Sequence, residues 1–228
     1  AEASLRTLFQ HMDELRKTST AKESLNRLRE QVFTTCGDMG ERCEPGLFRL
    51  TAPTGVGKTM AMLYFALRHC QTHGLRRIIV VLPFLTLAEQ TEEEYKKLIP
   101  SLLVDHSQKE LPEAARELAA RWDAPLVITT SVRFFESLFS DRPTTCRKLH
   151  HIANSVVLFD EAQSLPAQLA PATLRAVHRL CERYHCTMLF STATQPEFGA
   201  LPPLQKGKEA VWEPTELLPD HADLYRQM

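Results

Sequence analysis

Short apolar runs alternate with amphipathic segments along most of the sequence. The runs have the length of β-strands and are Leu47–Ala52, Arg77–Leu82, Leu102–Asp105, Leu126–Thr129, Val156–Phe159 and Thr187–Ser191. The segments between them have apolar residues at helical spacing and are Lys58–His73, Thr86–Leu98, Pro112–Trp122, Val132–Phe139 and Leu169–Tyr184. Strands that alternate with helices predict an α/β fold, in which a mainly parallel sheet has helices on both faces.

The run Ile78–Leu82 is apolar at every position, which predicts a central strand that is buried on both faces. Residues 1–45 show no alternation of strands and helices. Their apolar residues lie in helical stripes that break near Lys17–Ala21, which predicts an N-terminal helical segment and linker. Gly37 and Gly40 are interpreted as breaks near the end of this segment. Prolines become frequent after residue 200. We therefore expect the α/β domain to span 46–200 and residues 201–228 to be an irregular linker, ending in a short helix at Asp220–Gln227.

The composition narrows the class of protein. The net charge is −1 and the sequence pI is about 6.8, so any contact with nucleic acid must come from a local groove. The apolar stretches have strand length and no signal-peptide pattern is visible, so we expect no membrane partner. The six cysteines contain no Cys-x-x-Cys pair and the nine histidines lack ligand spacing. We expect reduced thiols in a cytoplasmic protein and no zinc site.

The strongest chemical signal lies between the first predicted strand and the helix that follows. It is the sequence Ala52-Pro53-Thr54-Gly55-Val56-Gly57-Lys58-Thr59, which has the spacing of a P-loop. Gly55 and Gly57 let the backbone approach phosphate oxygens, and the helix N-terminus adds the positive end of its dipole. Lys58 can reach the β- and γ-phosphates of ATP, and Thr59 can offer its hydroxyl to Mg²⁺. Ala52 replaces the usual first glycine and is still small.

Two carboxylates, Asp160 and Glu161, follow the fifth predicted strand. Asp160 is expected to hold Mg²⁺ directly or through water, and Glu161 to orient and deprotonate the attacking water. An Asp-Glu pair by itself is also typical of a helix start. Because ligands of parallel sheets bind at the carboxyl ends of the strands, the pair and the P-loop together predict a nucleotide site.

Further motifs suggest the kind of ATPase. Asp160-Glu161-Ala162-Gln163 resembles the Asp-Glu-x-His/Gln box of superfamily-two helicases, which adds Gln163 to the catalytic residues. Leu82–Gln90 resembles helicase motif Ia, and Ile128–Ser131 resembles motif Ib. Motif III is matched by Ser191–Pro196, in which Thr192, Ala193 and Thr194 would couple the ATP and nucleic-acid sites. The resemblance implies a RecA-like P-loop NTPase fold.

Details within these motifs resemble the CRISPR-associated helicase–nuclease of type I systems, and among its subtypes the I-C-like branch. They are Pro83–Leu85 with Glu89 and Gln90, Ser131–Phe139, Phe159–Pro166 and Thr192–Pro196, and the resemblance runs from about Leu25 to Pro196. It implies an ATP-driven translocase that moves 3′ to 5′ on single-stranded DNA in the defence against foreign DNA. An RNA-guided surveillance complex recruits proteins of this family, and a fused nuclease degrades the strand.

The resemblance also implies where nucleic acid would be held. The residues are those of motifs Ia and Ib, namely Pro83, Phe84, Thr86, Gln90, Thr129, Thr130 and Arg133. Backbone amides and threonine hydroxyls there would contact phosphates without reading bases, and Arg133 would add positive charge. Phe134 and Phe135 are expected to pack their helix into the core rather than stack on bases.

Three features depart from the family pattern. Thr192 replaces the usual serine of motif III and keeps the hydroxyl. The adenine-reading glutamine has no clear equivalent; Arg29 occupies roughly its place, either as a substitute or as a solvated helix residue, so adenine selectivity is open. The nuclease motif and the second RecA-like domain, which brings the arginine fingers, are missing from this sequence. We therefore expect this chain alone to hydrolyse ATP slowly or not at all.

Two other functions stay open. One is the ATP-binding lobe of a repair or restriction helicase, because only the glutamine box and the Thr-Gln-Pro sequence favour the CRISPR family. The other is a P-loop module that binds nucleotide as a switch, or docks partners, without turnover. The near-neutral charge fits such a module. The full series of helicase motifs disfavours it, since a switch has no physical need for them.

Overall fold

Seven strands form the centre of the fold in the computed structural model, which describes residues 2–106, 118–142, 146–165, 170–193, 213–219 and 224–225. The strands are β1 (Leu47–Thr51), β2 (Arg77–Leu82), β3 (Leu103–Asp105), β4 (Leu126–Thr130), β5 (Ser155–Phe159), β6 (Thr187–Thr192) and β7 (Thr215–Glu216). They form one sheet in the order β3-β4-β2-β5-β6-β1-β7, and every neighbouring pair is parallel. All strands therefore end at the same edge of the sheet, where ligands of such folds bind.

Helices cover both faces of the sheet. They are α1 (Glu2–Thr18), α2 (Glu23–Arg42), α3 (Lys58–His73), α4 (Leu85–Lys96), α5 (Ser131–Phe139), α6 (Leu149–Ile152) and α7 (Ala170–Tyr184). The strands and helices agree with the predicted ones within two residues at each end. Of the predicted helix Pro112–Trp122, residues 118–121 are helical and residues 112–117 lie outside the described part of the chain, as does Leu169. The sequence pattern had not indicated α6.

The central strands are buried on both faces, as their uninterrupted apolar sequence predicts. Along β2, Ile78, Val80 and Leu82 pack into a core with α2, α3 and α4. The alternate residues Ile79 and Val81 pack into a second core with α5 and α7. This separation follows from the two-residue period of a strand, and it fixes the sheet between two helical layers.

Two glycines allow α2 to lie very close to α3. A Cβ atom at Gly40 would come 2.5 Å from the carbonyl oxygen of Phe65, and one at Gly37 would overlap the ring of Tyr64. The interpretation of these glycines as breaks in the chain is therefore wrong: both lie inside α2 and serve close packing. They bring the N-terminal helices against the helix that begins at the P-loop.

The segment after residue 200, predicted to be an irregular linker, contributes a strand. β7 pairs with β1, and Glu216 accepts hydrogen bonds from the Thr51 amide at 3.1 Å and from the Thr51 hydroxyl at 2.8 Å. Leu224 and Tyr225 are helical, within the short helix expected at Asp220–Gln227. The domain limits at residues 45 and 200 stay predictions, and residues 213–219 pack as part of the sheet.

The structure also bears on the expected state of the thiols and on the helices. All six cysteines are free, and burial raises the pKa of the Cys70 and Cys181 thiols to about 12. Such thiols stay protonated at neutral pH and pack as small apolar groups. Within the described residues, no helix combines the length and the apolar composition that a membrane span requires.

Candidate functional site

The loop between β1 and α3 has the backbone geometry of a phosphate site. Gly55 and Gly57 have φ values of +85° and +82°, in the left-handed region that residues with a Cβ atom rarely adopt. No atom lies within 4 Å of the position of a Cβ at Gly55, so its requirement for glycine is conformational rather than steric. Gly57 also caps the N-terminus of α3. The loop thereby directs free backbone N–H groups toward the space in front of the helix.

Lys58 lies within this loop and is only 8% exposed. Its Nζ donates a hydrogen bond to the carbonyl oxygen of Ala52 at 3.0 Å. Burial lowers its pKa, while the charges of Glu161 and Asp160 act in the opposite direction. The ammonium group is therefore held on the Ala52 carbonyl and is influenced by two carboxylates, a position in which phosphate oxygens would be favourable partners.

Asp160 and Glu161 lie at the end of β5, next to the P-loop. Burial raises the pKa of Asp160, and the Glu161 charge adds to that rise. The Glu161 amide, which donates to Asp160 Oδ1 at 2.9 Å, lowers the pKa, as do the nearby Ser191 hydroxyl and the Lys58 charge. The ionised carboxylate of Asp160 would thus gain from a cation in addition to Lys58.

Glu161 has an unusual backbone, with φ +50° and ψ +48°. A left-handed residue other than glycine costs about 1–3 kcal/mol and is often found at functional sites. Its carboxylate accepts a hydrogen bond from Gln163 Nε2. Gln163 Oε1 in turn accepts one from the Thr192 hydroxyl at 2.6 Å. This Glu161–Gln163–Thr192 chain connects the end of β5 to the end of β6.

Of the three predicted coupling residues, Thr192 takes part in that chain of hydrogen bonds. Ala193 lies beside it, and its carbonyl oxygen accepts a hydrogen bond from the hydroxyl of Tyr225. Thr194 lies outside the described residues. Gln163 therefore joins Glu161 to Thr192 of motif III through hydrogen bonds, and its catalytic role stays a prediction.

A cavity of about 700 Å³ opens in front of the P-loop. Thr54–Met60, Asp160 and Glu161 line one side, and the turn between α1 and α2 lines the other. Arg29 on α2 donates from Nε to the Gly55 carbonyl oxygen at 3.0 Å. Arg29 thus contacts the P-loop from a partly exposed position, and its role toward the nucleotide base stays a prediction. The volume suits a ligand of nucleotide size.

The oxygen donors of the cavity fit a magnesium ion. The Thr59 hydroxyl and the Asp160 carboxylate are hard ligands of the kind that Mg²⁺ prefers, and both residues line the cavity beside Lys58. Across the described ranges, no group of three or more His, Cys, Asp or Glu side chains could hold a metal ion. A magnesium ion here would therefore take most of its ligands from phosphates and water, which is its usual behaviour.

The predicted nucleic-acid residues of motif Ia form an exposed surface. Phe84, just before α4, is 59% exposed, and Thr86 and Gln90 on α4 are also exposed, while Pro83 is half-buried. They lie at the carboxyl edge of the sheet, on the side of β2 and β4. A strand of nucleic acid could reach all of them without entering the core.

The predicted contacts of motif Ib are corrected by the structure. Thr129 is fully buried, and its hydroxyl donates to the Asp105 carbonyl oxygen at 2.8 Å, because the two residues pair across β3 and β4. Thr130 is buried too and caps α5, where its hydroxyl accepts from the Arg133 amide at 3.4 Å. Arg133 is partly exposed and faces Glu136 at 3.5 Å. Neither threonine hydroxyl is thus available to a phosphate.

The two phenylalanines of α5 behave as expected. Phe134 is fully buried, and Phe135 is half-buried with its ring parallel to that of Phe159, at a centroid distance of 6.1 Å. Both rings pack against the sheet rather than forming a platform for bases. Of the predicted nucleic-acid residues, Phe84, Thr86 and Gln90 of motif Ia are accordingly exposed, and Arg133 is partly exposed.

Sequence reasoning missed two residues that support the site. The Tyr95 hydroxyl on α4 donates to the Thr59 carbonyl oxygen at 2.8 Å. Glu216 on β7 fixes Thr51, the last residue of β1 before the P-loop. Nothing in the sequence near either residue indicates these contacts, because each joins segments that are far apart in the chain.

Comparisons with known proteins agree with this geometry. The sequence profile described as DEAD/DEAH box helicase matches residues 18–200. The chain is 26% identical, over 190 residues, to the CRISPR-associated nuclease/helicase Cas3 of Haloferax volcanii; the match covers 69% of this chain and 20% of that protein. The chain thus spans about a fifth of the length of that relative.

Solved structures show the same fold. The crystal structure of T. fusca Cas3-ATP superposes with a TM-score of 0.61 at 21% identity, over 82% of this chain and 23% of that one. The DEAD-box helicase Mss116 bound to ssRNA and UDP-BeF gives 0.55 at 16% identity, over 82% of this chain and 41% of that one. The expected RecA-like fold and the resemblance to CRISPR-associated helicase–nucleases are confirmed. The I-C-like branch stays a prediction.

Proposed function

The chain belongs to the DEAD/DEAH box helicase family, and we propose that it is the ATP-binding lobe of a translocase that moves 3′ to 5′ on single-stranded DNA. We infer that the whole protein acts in CRISPR type I interference. The substrates and partners of the whole protein are part of this proposal, since the chain spans about a fifth of its curated relative.

One observation carries the proposal, namely the continuity of the site. The P-loop and the carboxylates share one cavity, and the Glu161–Gln163–Thr192 chain leads from that cavity to motif III. A protein that only binds nucleotide needs the cavity. A motor also needs a connection that carries the state of the nucleotide to another surface, and this hydrogen-bonded chain is such a connection.

The residues of the cavity divide the chemistry among them. Lys58 and the backbone amides of Thr54–Thr59 would hold the phosphates, and Thr59 and Asp160 would hold a cation that offsets phosphate charge during transfer. Glu161 takes the proton of the attacking water, and Gln163 fixes the orientation of the Glu161 carboxylate. Arg29 and the α1–α2 turn form the wall on which the nucleotide base would rest.

The likeness to Cas3 supports the proposed nucleotide and partners. T. fusca Cas3 has been crystallised with ATP and with AMPPNP, which supports the choice of nucleotide. Single-stranded DNA is the proposed track, an RNA-guided surveillance complex is the proposed recruiter, and a nuclease domain and a second RecA-like domain are the proposed companions. The second domain would supply the arginine fingers, which raise phosphoryl transfer by about 10³–10⁵-fold.

The test is the ATPase rate of the full-length protein that carries this chain, with and without single-stranded DNA. We expect DNA to raise kcat. Asp160→Asn should lower the stimulated kcat about 100-fold or more, because the cation loses its protein carboxylate, while DNA binding persists. Asp141→Asn, on the exposed surface, is the matched control and should leave both unchanged.

Each contrary result has a definite meaning. No stimulation by DNA in the wild-type protein would favour the nucleotide switch over the translocase. Stimulation by single-stranded RNA alone would exclude the DNA motor, including a repair or restriction helicase. Retained turnover in Asp160→Asn would refute the cation-holding role of Asp160.

A further inference from the structure

Tyr95 lies at the junction of two functional surfaces. It is fully buried near the end of α4, and its hydroxyl donates to the Thr59 carbonyl oxygen at 2.8 Å. Burial raises its pKa, and the negative charge of Asp160 adds to that rise. The hydroxyl thus contacts the backbone of Thr59, one of the two residues that would hold the cation.

The same helix carries the exposed residues of motif Ia. Thr86 and Gln90 face solvent, whereas Ala88, Thr91, Glu92 and Tyr95 are buried. Tyr95 follows Thr86 by nine residues, which is about 14 Å along a helix. One rigid element therefore presents the nucleic-acid surface near its beginning and touches the ATP site near its end.

The contact has a direct route to the cation site. The Thr59 carbonyl belongs to the first turn of α3, and the hydroxyl that would bind the cation projects from the same Cα atom. A displacement of α4 would tilt that peptide unit through Tyr95, and the Thr59 side chain would move with it. In an α-helix this carbonyl also accepts a bond from the residue four positions on, so loss of the tyrosine hydroxyl leaves no unpaired acceptor.

We propose that Tyr95 is a positioning residue that makes the ATP site respond to nucleic acid, by joining α4 to the first turn of α3. This inference rests on the proposed function. It assigns the coupling a second route, separate from the Glu161–Gln163–Thr192 chain. The two routes differ in origin: one begins at motif III, and the other at motif Ia.

Tyr95→Phe in the full-length protein tests the inference, because it removes one hydroxyl and keeps the ring. We expect the ratio of kcat with DNA to kcat without DNA to fall about fivefold or more, the lower limit of ordinary coupling. The KM for ATP should change less than about twofold, because phosphate binding is intact. Tyr64→Phe on α3, where the ring stacks on Phe33 at 4.5 Å, is the control and should keep the ratio.

An unchanged ratio would overturn the coupling role, including the case in which kcat falls by the same factor with and without DNA. A second readout needs no nucleic acid: the Mg²⁺ concentration that gives half-maximal binding of a fluorescent ATP analogue should rise about fivefold in Tyr95→Phe. If the wild-type protein shows no stimulation by DNA, the proposed function fails, and this titration decides the role of Tyr95 separately. An unchanged Mg²⁺ requirement then rejects it.

Discussion

Two parts of the same sheet edge use their side chains in opposite ways. Around β1 and β5, polar groups are held in place by neighbours: Lys58 on the Ala52 carbonyl, and Glu161 on Gln163. Around β2 and β4, the exposed groups are Phe84, Thr86 and Gln90, while the threonine hydroxyls of β4 are used inside the fold. The groups of the proposed nucleotide side are thus held in place before any ligand binds, whereas the proposed nucleic-acid side offers an exposed surface.

The difference follows from what each ligand demands. A phosphate group requires several donors at fixed positions, so the loop geometry and the buried lysine must exist before binding. A nucleic-acid strand that is held through its backbone requires only exposed donors along a path, and these are ordered by the strand itself. The first arrangement costs backbone strain, seen at Glu161 with φ +50°.

The largest expected effect removes the preformed side. At about 100 times its dissociation constant, ATP should stabilise the wild-type protein by about 2.7 kcal/mol. Lys58→Ala should lose that stabilisation, because the phosphates lose their buried ammonium partner. The measurement is the shift of the thermal midpoint on adding ATP and Mg²⁺. Lys97→Ala, an exposed control, should keep the shift; an equal shift in Lys58→Ala would refute the P-loop assignment.

A smaller expected effect concerns His69, a buried residue of α3, the helix that begins at the P-loop. His69 is fully buried; its Nδ1–H donates to the Gly40 carbonyl at 2.9 Å, and its Nε2 accepts from the Thr187 hydroxyl at 2.9 Å. Burial lowers its pKa from 6.5 to about 4. Below pH 6.5 His69 becomes protonated in the unfolded chain, whereas in the folded protein it stays neutral until about pH 4. The stability contributed by neutral His69 is therefore lost as the pH falls through this window.

From pH 7 to pH 5 this linkage amounts to about 2 kcal/mol. The free energy of unfolding, measured by urea titration at both pH values, should therefore fall by about that much more in wild type than in His69→Gln. His150→Gln, at an exposed position, serves as the control and should keep the wild-type difference. Equal pH dependence in wild type and His69→Gln would contradict a buried neutral imidazole.

The smallest effects separate the two roles of threonine on the nucleic-acid side. Thr129→Val should lower the free energy of unfolding by about 1 kcal/mol, since it removes one buried hydrogen bond, and should leave DNA affinity unchanged. Thr86→Ala should do the reverse and weaken DNA binding about two- to tenfold. Fluorescence anisotropy with labelled single-stranded DNA measures the affinities. Weakened binding in Thr129→Val alone would reverse the assignment of the two residues.

The sequence predicted those parts of the fold that depend on local pattern. The strands and α3 were predictable because the apolar runs and the P-loop glycines each carry their own physical requirement. The burial of Thr129 was not, because a strand that is covered on both faces gives no alternation to show which way a threonine points. The contact of Arg29 with Gly55 and that of Tyr95 with Thr59 arise only when distant helices pack. No local sequence pattern indicates them.

β7 was missed for the same reason, and it has a consequence for synthesis of the chain. Glu216 follows Thr51 by 165 residues, yet it pairs with the backbone amide that precedes the P-loop. At roughly 5–20 residues per second, a ribosome needs roughly 8–33 s to make the intervening chain. Throughout that interval the outer edge of β1 lacks the strand that will cover it. The contact that holds Thr51 in front of the nucleotide loop therefore forms only after nearly the whole described chain has been made.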